Sequence, residues 1–340
     1  MMHIELIPGR LHFKRPAGTS RGVYTVRDVW YVKVTSSRYP GRTGIGECAP
    51  LPNLSCDDLP NYEEVARKLC AQVEQEERID VEMLRPYPSL LFGLESAFRH
   101  LETGSTALWD TPFSRGEAGI PINGLIWMGS YDYMYQQIVK KMELGFRCIK
   151  LKIGAIDFDR ELELLRFIRS KFPADVIELR VDANGAFDPK DALEKLKRLS
   201  ELQLHSIEQP IRAGQWQEMA RLVEDTPLPI ALDEELIGIH TPEQKAELLD
   251  TIHPHYIILK PSLHGGMAGG MEWIEAARER NIGWWITSAL ESNIGLNAIA
   301  QWCATLQTNL PQGLGTGALF TDNVPMPLEV RGDCLWYNAR

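Results

Sequence analysis

The sequence lacks long hydrophobic runs and paired cysteines, and each absence argues against a class of protein. No run of about 18 apolar residues occurs in the chain, so a membrane-spanning helix is not predicted. The N-terminal segment MMHIELIPGRLHFKRP lacks the apolar stretch that a secretory signal peptide requires. The six cysteines are scattered without a C-x-x-C pair, which argues against a zinc finger and predicts reduced thiols. We therefore expect a cytoplasmic protein.

Basic residues are also fewer than acidic ones. Lys and Arg number 36 against 46 Asp and Glu, and the resulting net charge of −10 disfavours nonspecific attraction to nucleic acid or anionic membranes. A small-molecule partner is the better expectation. The length of 340 residues suits a barrel of roughly 200 to 250 residues together with a smaller domain.

The pattern of apolar and polar residues changes near residue 115, which predicts two domains. Up to about residue 110, an alternating segment at 29–34, a glycine-containing turn and helical patterns at 61–77 and 89–103 indicate an α+β unit. The segment TPFSRGEAG at 111–119 is rich in turn-forming residues and is the predicted boundary. We expect a capping domain at 1–110, a barrel at 120–315, and a tail at 316–340 that returns to complete the first domain.

The second part alternates short apolar runs with amphipathic helical patterns, for example at 158–171 and 191–202, as in successive βαβ units. A doubly wound open sheet is the rival fold, but its glycine-rich phosphate loop does not occur here. After the eighth run the sequence is too irregular for another barrel helix. The predicted fold is an α/β (β/α)7β modified TIM barrel with an α+β N-terminal capping domain, and its eight strands are PINGLI, FRCIKLKIG, IELRVDANG, LHSIEQPI, PIALDEEL, YIILKPSL, GWWITSAL and LPQGLG.

Charged residues recur at the ends of five successive apolar runs, about one barrel repeat apart. A single acid after a strand is more often a turn residue or a helix cap than a ligand, so only the whole set of charged residues indicates a site. Barrel active sites are built where the strands end, and we expect these side chains to meet at that rim. The intervals are 30, 26, 25 and 27 residues, between Lys152, Asp182, Glu208, Asp233 and Lys260.

Three of the five are carboxylates, without histidine or cysteine among them. Such a set of hard oxygen ligands suits Mg²⁺ or Mn²⁺ and does not suit zinc. Without a cation, carboxylates crowded in a low-dielectric mouth would repel one another, and at least one would take up a proton. The sequence therefore predicts a divalent metal site.

Lysines complete the predicted site. Lys150 and Lys152 are two residues apart on one strand and so share its inward face, although surface lysines could show the same spacing. Two neighbouring ammonium groups near a cation disfavour each other's charge, which is expected to lower the pKa of at least one toward the range of a general base. A metal could then stabilise the enediolate that forms when a proton leaves the carbon next to a carboxylate.

The motifs KLKIG, VDANGAF, SIEQPI, LDEEL and ILKPS resemble the successive strand-end motifs of the muconate-cycloisomerase subgroup of the enolase superfamily, whose sites pair a lysine base with Mg²⁺. The resemblance covers most of the chain. It implies that Mg²⁺, or Mn²⁺ in its place, is bound by Asp182, Glu208 and Asp233. It also implies that Lys152 is the acid/base lysine and that Lys260 acts on the opposite face of the substrate.

Further substrate contacts follow from the same resemblance. Lys150 would tune Lys152 and help to hold the substrate carboxylate. Asn184 and Arg180 share the inward parity of Asp182 and would orient the substrate, although ordinary strand-end hydrogen bonding is an alternative for both. Ser288, in the seventh-strand segment ITSALESNIGL, would be another contact.

Within the subgroup, the segments PINGLI, ITSALESNIGL and GLGTGALF favour the o-succinylbenzoate synthases, which dehydrate a cyclohexadiene carboxylate in menaquinone synthesis. A D-x-D motif typical of the dipeptide epimerases is absent. An N-acylamino acid racemase or dipeptide epimerase stays an alternative, and so does a barrel that only binds ligands. Two loops of the first domain, FKRPAGTSRG at 13–22 and CAPLPNLS at 48–55, are expected to cover the mouth as lids, with ordinary surface loops as the alternative.

Overall fold

A computed structural model describes residues 1–19, 22–306 and 308–338. The N-terminal part is a three-stranded antiparallel sheet, β1 (Met2–Thr19), β2 (Gly22–Ser36) and β3 (Gly44–Cys48), packed against α1 (Tyr62–Glu76), α2 (Val81–Leu84) and α3 (Pro88–Thr103). Close approach of α3 to β3 depends on glycine. A Cβ atom at Gly46 would lie 1.9 Å from the carbonyl oxygen of Gly93, and one at Gly44 equally close to that of Ala97.

The second part is a barrel in which strands and helices alternate. Its seven parallel strands pair in chain order, so each helix crosses from one strand to the next along the outside. The strands are β5 (Gly124–Ile126), β6 (Cys148–Lys152), β7 (Glu178–Asp182), β8 (Ser206–Glu208), β9 (Ile230–Leu232), β10 (Tyr256–Leu259) and β11 (Gly283–Ile286). The helices are α4 (Tyr131–Glu143), α5 (Phe158–Lys171), α6 (Pro189–Ser200), α7 (Trp216–Asp225), α8 (Pro242–Ile252), α9 (Gly266–Glu279) and α10 (Asn293–Cys303).

Local sequence explains where these helices begin. Five of them follow a polar residue whose side chain accepts a hydrogen bond from a backbone N–H of the first turn, which would otherwise be unsatisfied. These residues are Ser130, Asp157, Asp188, Thr241 and Ser292. The predicted helices at 158–171 and 191–202 are confirmed, the second with its bounds shifted by two residues.

The eighth predicted strand, LPQGLG, closes the barrel between the first and seventh strands. Gln312 N donates to Pro121 O at 2.8 Å, and Gly313 N donates to Ile286 O at 2.8 Å. The contact is confined to these residues because the segment is short. The (β/α)7β architecture with an N-terminal cap is thereby confirmed. The first predicted strand is divided, because Ile120–Pro121 (β4) pairs antiparallel with the C-terminal hairpin.

The C-terminal tail contacts both parts of the molecule. Lys14 N donates to Leu319 O at 2.8 Å, and Thr321 N donates to His12 O at 2.9 Å, which joins the tail to β1. Further on, β12 (Leu328–Arg331) and β13 (Cys334–Tyr337) form the hairpin that pairs with β4. The division into 1–110, 120–315 and a completing tail stays a prediction.

Two expectations from composition can be compared with the structure. In the ranges that it describes, no helix combines the length and apolar character needed to cross a bilayer. Each of the six cysteines is a free thiol, and four of them are buried.

One carboxylate of the cap holds the start of a barrel helix. Glu95 on α3 accepts hydrogen bonds from Met267 N at 2.6 Å and from Ala268 N at 2.9 Å, in the first turn of α9. Burial raises the pKa of Glu95 to about 7, although these two bonds favour the charged form. Ionisation of Glu95 therefore costs free energy in the folded protein.

We predict that Glu95→Gln changes the pH dependence of stability. Because the folded pKa lies above the unfolded one, the wild type should lose about 3 kcal/mol relative to the variant as the pH rises from about 4.5 to 7. Chemical denaturation of both proteins across this range measures the difference. Glu102→Gln, on the exposed side of α3, is the control and should follow the wild type. Parallel curves for wild type and Glu95→Gln would contradict the prediction.

Candidate active site

Six of the predicted site residues lie at the end of the barrel where its strands finish. Lys152, Asp182 and Glu208 are the last residues of β6, β7 and β8, whereas Asp233 and Lys260 directly follow β9 and β10. Lys150 is two residues before Lys152 and shares its inward face. Parallel strands bring these ends to one rim, as the spacing predicts.

Lysines and carboxylates alternate in direct contact around this rim. Lys150 Nζ lies 2.8 Å from Glu208 Oε2 and 3.2 Å from Asp182 Oδ2. Lys152 Nζ lies 2.9 Å from the same Asp182 oxygen. On the other side, Lys260 Nζ contacts Asp233 Oδ2. The carboxylates are almost fully buried, so water screens these charges poorly.

These contacts affect the pKa values of Lys150 and Lys260. Burial alone would lower the pKa of Lys150, but the charges of Glu208 and Asp182 outweigh it and raise that pKa. Lys150 therefore does not have the lowered pKa that a neighbouring ammonium group would cause, because the carboxylates dominate around it. For Lys260, Asp233 likewise outweighs burial and raises the pKa.

The carboxylates differ among themselves. Burial and the neighbouring Asp182 raise the pKa of Glu208 to about 8, and burial also raises the pKa of Asp233. Burial acts in the same direction on Asp182, but Lys152 and Lys150 outweigh it and hold its pKa below the ordinary value. The ionised form is thus least favourable at Glu208 and Asp233, where a bound cation or a proton would stabilise the carboxyl group.

The three carboxylates fit a divalent cation by their chemistry. Within the described ranges, no three acidic, histidine or cysteine side chains already converge as a finished metal site, because lysines are interleaved with the acids. However, Glu208 Oε1 and Asp233 Oδ1 are buried and lack a hydrogen-bond partner in that part of the chain. Buried oxygens without donors are unfavourable in a protein alone and are suitable ligands for Mg²⁺.

Glu234, which was not among the predicted site residues, lies in the same cluster. Asn184 Oδ1 accepts from Lys152 Nζ at 2.7 Å, and Asn184 Nδ2 donates to Glu234 Oε1 at 2.9 Å. Strand alternation would place Glu234 on the face opposite Asp233. Instead a 3₁₀ turn begins here (Glu234–Leu236) and returns its side chain to the rim. The doubled acid in LDEEL was the available signal.

A cavity opens onto this cluster, and its two halves differ in polarity. The charged half is lined by Lys150, Lys152, Asp182, Asn184, Glu234 and Lys260. The neutral half is lined chiefly by Leu51, Leu54, Trp127, Leu263, Ser288 and Leu290. Ser288 Oγ is 2.6 Å from Thr316 Oγ1, which also lines the cavity. Glu208 and Asp233 lie beneath the surface of the charged half.

Arg180 is separated from the other predicted residues. Its inward parity is as expected, but the side chain lies deeper in the barrel than the rim. Arg180 Nε donates to Glu178 Oε1 at 2.7 Å, Nη1 donates to Pro311 O at 2.9 Å, and the guanidinium stacks 4.3 Å from the ring centre of Trp285. These contacts give it a structural position within the barrel interior.

The two expected lid segments differ in structure. In the segment at 48–55, β3 ends at Cys48, and the following loop brings Leu51 and Leu54 to the cavity. The expectation of a loop at 13–22 is wrong, because β1 continues to Thr19 and pairs with β2 from Gly22. Ser20 and Arg21 lie outside the described residues. The hairpin packs Phe13 and Ala17 in one cluster with Leu290.

Known proteins resemble this chain over nearly its whole length. Residues 134–338 match the family model "Enolase C-terminal domain-like", and residues 20–101 match "MenC, N-terminal domain". An o-succinylbenzoate synthase from Desulfotalea psychrophila is 48% identical over 357 aligned positions, which cover 96% of each protein.

Solved structures show the same similarity. The crystal structure of MenC from D. psychrophila superposes with a TM-score of 0.85 at 43% identity, covering 98% of this chain and 99% of that one. A dipeptide epimerase from Enterococcus faecalis, complexed with Mg and a dipeptide, superposes with a TM-score of 0.83 at 18% identity, covering 98% of this chain and 96% of that one. The second likeness concerns the fold alone.

Proposed function

The chain belongs to the o-succinylbenzoate synthase family of the enolase superfamily, and on this premise we propose how its residues perform a dehydration. Enzymes of this family are hydro-lyases. The proposed substrate is 2-succinyl-6-hydroxy-2,4-cyclohexadiene-1-carboxylate, which would lose water to form o-succinylbenzoate in menaquinone biosynthesis, in the cytoplasm. The supporting observation is that Lys152 and Lys260 project from well-separated strands into one cavity, with buried carboxylates between them.

Superfamily members generally use a divalent metal, and we propose Mg²⁺ here, with Mn²⁺ able to replace it. Asp182, Glu208 and Asp233 would hold the ion, since their buried oxygens are hard ligands and two of them lack donors in the described structure. When bound, Mg²⁺ would supply positive charge to the enediolate that forms during proton abstraction.

We predict that this ligand set is limited to three carboxylates. Asp182→Asn, Glu208→Gln and Asp233→Asn should each weaken Mg²⁺ binding by at least about 100-fold, because each removes a charged oxygen ligand. Calorimetric titration with MgCl₂ measures the affinity. Glu234→Gln is the matched control, since Glu234 is also buried and has an oxygen without a partner in the described residues. Loss of binding in Glu234→Gln would contradict the proposed ligand set.

Lys152 is the proposed acid and base. In its neutral form, Nζ would take the proton from the ring carbon that carries the carboxylate, and the electron pair of that C–H bond would move into the carboxylate to form the enediolate. Asn184 Oδ1 and Asp182 Oδ2 lie within hydrogen-bond distance of Nζ and would fix its position. Lys260 would place its positive charge against the other face of the enediolate.

The second step returns the proton. Electrons from the enediolate would form the ring double bond as the C–O bond to the hydroxyl group breaks, and Lys152 Nζ would protonate the departing oxygen to give water. Lys152 is then neutral again. A syn elimination allows one lysine to perform both proton transfers, because the proton and the hydroxyl leave from the same face.

The cavity's neutral half would receive the succinyl group. With the ring carboxylate at the charged half, the remaining substrate must extend along Leu51, Leu54 and Leu290. Ser288 is the proposed polar contact there. Lys150, buried between Asp182 and Glu208, would help to hold the ring carboxylate through its positive charge.

An N-acylamino acid racemase or dipeptide epimerase is the second candidate, because two lysines facing one cavity also suit proton exchange on two faces. The deciding experiment follows the aromatic product by ultraviolet absorbance with purified protein, Mg²⁺ and the cyclohexadiene substrate. A parallel panel contains N-succinyl amino acids and dipeptides. Faster turnover of the panel than of the cyclohexadiene would favour the second candidate.

A further inference from the structure

A buried arginine of the cap connects two loops that form the neutral half of the cavity. Arg27 lies on β2 and is only 1% exposed. Its Nη2 donates to Ala49 O at 2.5 Å, and its Nη1 donates to Ala289 O. Ala49 belongs to the cap and Ala289 to the barrel, so one side chain joins the two parts of the molecule.

Both carbonyl groups stand beside residues that line the cavity. Ala49 begins the loop that carries Leu51 and Leu54, and Ala289 lies between Ser288 and Leu290. Arg27 itself is outside the cavity lining. The distance between the cap loop after Ala49 and the barrel loop at Ala289 therefore depends on the guanidinium group of Arg27, which lies behind both loops.

The barrel loop at this point needs support. Leu290 has a φ of 63°, a conformation that side chains other than glycine, asparagine and aspartate rarely adopt and that costs about 1 kcal/mol or more. Both backbone polar groups of the preceding residue are held, since Ala289 N donates to Glu291 Oε2 at 2.7 Å while the Ala289 carbonyl accepts from Arg27. Loss of either bond would let the strained turn relax.

Two buried glutamates lie near Arg27. Glu47 of β3 accepts from Ser292 N at 2.8 Å and from Gly295 N at 2.9 Å, and so holds the start of α10. Glu291 accepts from Ser262 Oγ at 2.5 Å. Burial lowers the pKa of Arg27, and the charges of Glu291 and Glu47 oppose this effect. A cationic side chain is thus suited to this position, and the two carbonyl contacts require a forked one.

We propose that Arg27 is a positioning residue that sets the shape of the neutral half of the cavity and thereby the affinity for the substrate's succinyl arm, without touching the substrate. This inference rests on the proposed function. It predicts an effect confined to the arm, because the charged half of the cavity is built from barrel residues that Arg27 does not contact.

The test compares two ligands that differ in the arm. o-Succinylbenzoate has the full arm, whereas 2-acetylbenzoate keeps the ring, the carboxylate and the ketone. In the presence of Mg²⁺, Arg27→Lys should raise the dissociation constant of o-succinylbenzoate by about tenfold or more, since small displacements of a binding group cost this much. The dissociation constant of 2-acetylbenzoate in the same variant should change by less than about twofold.

Two further variants keep the test independent of folding. Arg27→Met removes the charge as well and should enlarge the difference between the two ligands. Arg85→Met is the matched control, because Arg85 is another cap arginine that donates to a barrel carbonyl, His240 O at 3.0 Å, and neither of these residues lines the cavity. It should leave both constants unchanged. The ratio of the two constants in one sample does not depend on how much of the protein is folded.

The outcomes separate the two proposals. Equal weakening of both ligands in Arg27→Lys, or no weakening of either, would overturn the positioning role. If the wild type neither forms nor binds o-succinylbenzoate, the proposed function itself fails. An arm-specific loss in Arg27→Lys that is absent from Arg85→Met supports both.

Discussion

Lys152→Ala is expected to abolish dehydration, with a fall in kcat larger than the roughly 10²- to 10⁴-fold that one general acid or base usually contributes. The reason is that the same nitrogen is proposed to act twice, first on the ring proton and then on the departing hydroxyl. Alanine also removes the contacts to Asp182 at 2.9 Å and to Asn184 at 2.7 Å, which position that nitrogen.

Single-turnover measurement with saturating substrate and Mg²⁺ separates this chemical loss from binding. Mg²⁺ affinity should survive, because Asp182 keeps Lys150 within 3.2 Å and the proposed ligands are unchanged. Lys141→Ala is the control, since that lysine packs its ammonium group 4.6 Å from the ring centre of Phe146 and does not line the cavity. A Lys152→Ala enzyme that retains more than about one hundredth of the wild-type kcat would refute the two roles.

The positions of the rim residues could be predicted because they depend on topology. Each polar residue ends an apolar run, and parallel strands in chain order bring their ends together whatever the details of packing. The alternation of side chains on a strand then placed Lys150 beside Lys152 on the inward face. These inferences needed only the chain direction and a period of two.

Other features depend on contacts between distant segments and could not be read from one strand at a time. Glu234 reaches the rim because a 3₁₀ turn starts directly after β9. Arg180 has the right parity, but depth within the barrel is set by Trp285 and Pro311, which come from far along the chain. The raised pKa of Lys150 likewise reflects two carboxylates from other strands.

The cap was harder to predict for a similar reason. The segment FKRPAGTSRG contains proline and glycine, which favour a loop, yet most of it extends β1. A register shift between His12 and Ala17 accommodates Pro16, so the pairing with β2 resumes beyond the irregularity. Tertiary pairing here overrides the local preference.

Lys260 offers the sharpest distinction between dehydration and racemisation. Lys260→Ala is expected to lower kcat for dehydration by about 10²- to 10³-fold, because it removes a positive charge placed against the developing enediolate. It also leaves Asp233 without its lysine contact. Lys260→Arg keeps a cation at this position but cannot act as a base, since a guanidinium group does not lose its proton in proteins.

If Lys260 acts by its charge, the arginine variant should recover much of the dehydration rate lost in the alanine variant. Racemisation of an N-succinyl amino acid needs a competent base on each face. Any racemisation that the wild type shows should therefore be lost in both variants. Recovered dehydration in the arginine variant would itself show that this variant is folded, so the absence of racemisation there could not come from misfolding. An arginine variant as inactive in dehydration as Lys260→Ala would show that Lys260 must exchange a proton. The two lysines would then be acid/base partners on opposite faces, and the racemase assignment would explain the cavity better than a syn elimination does.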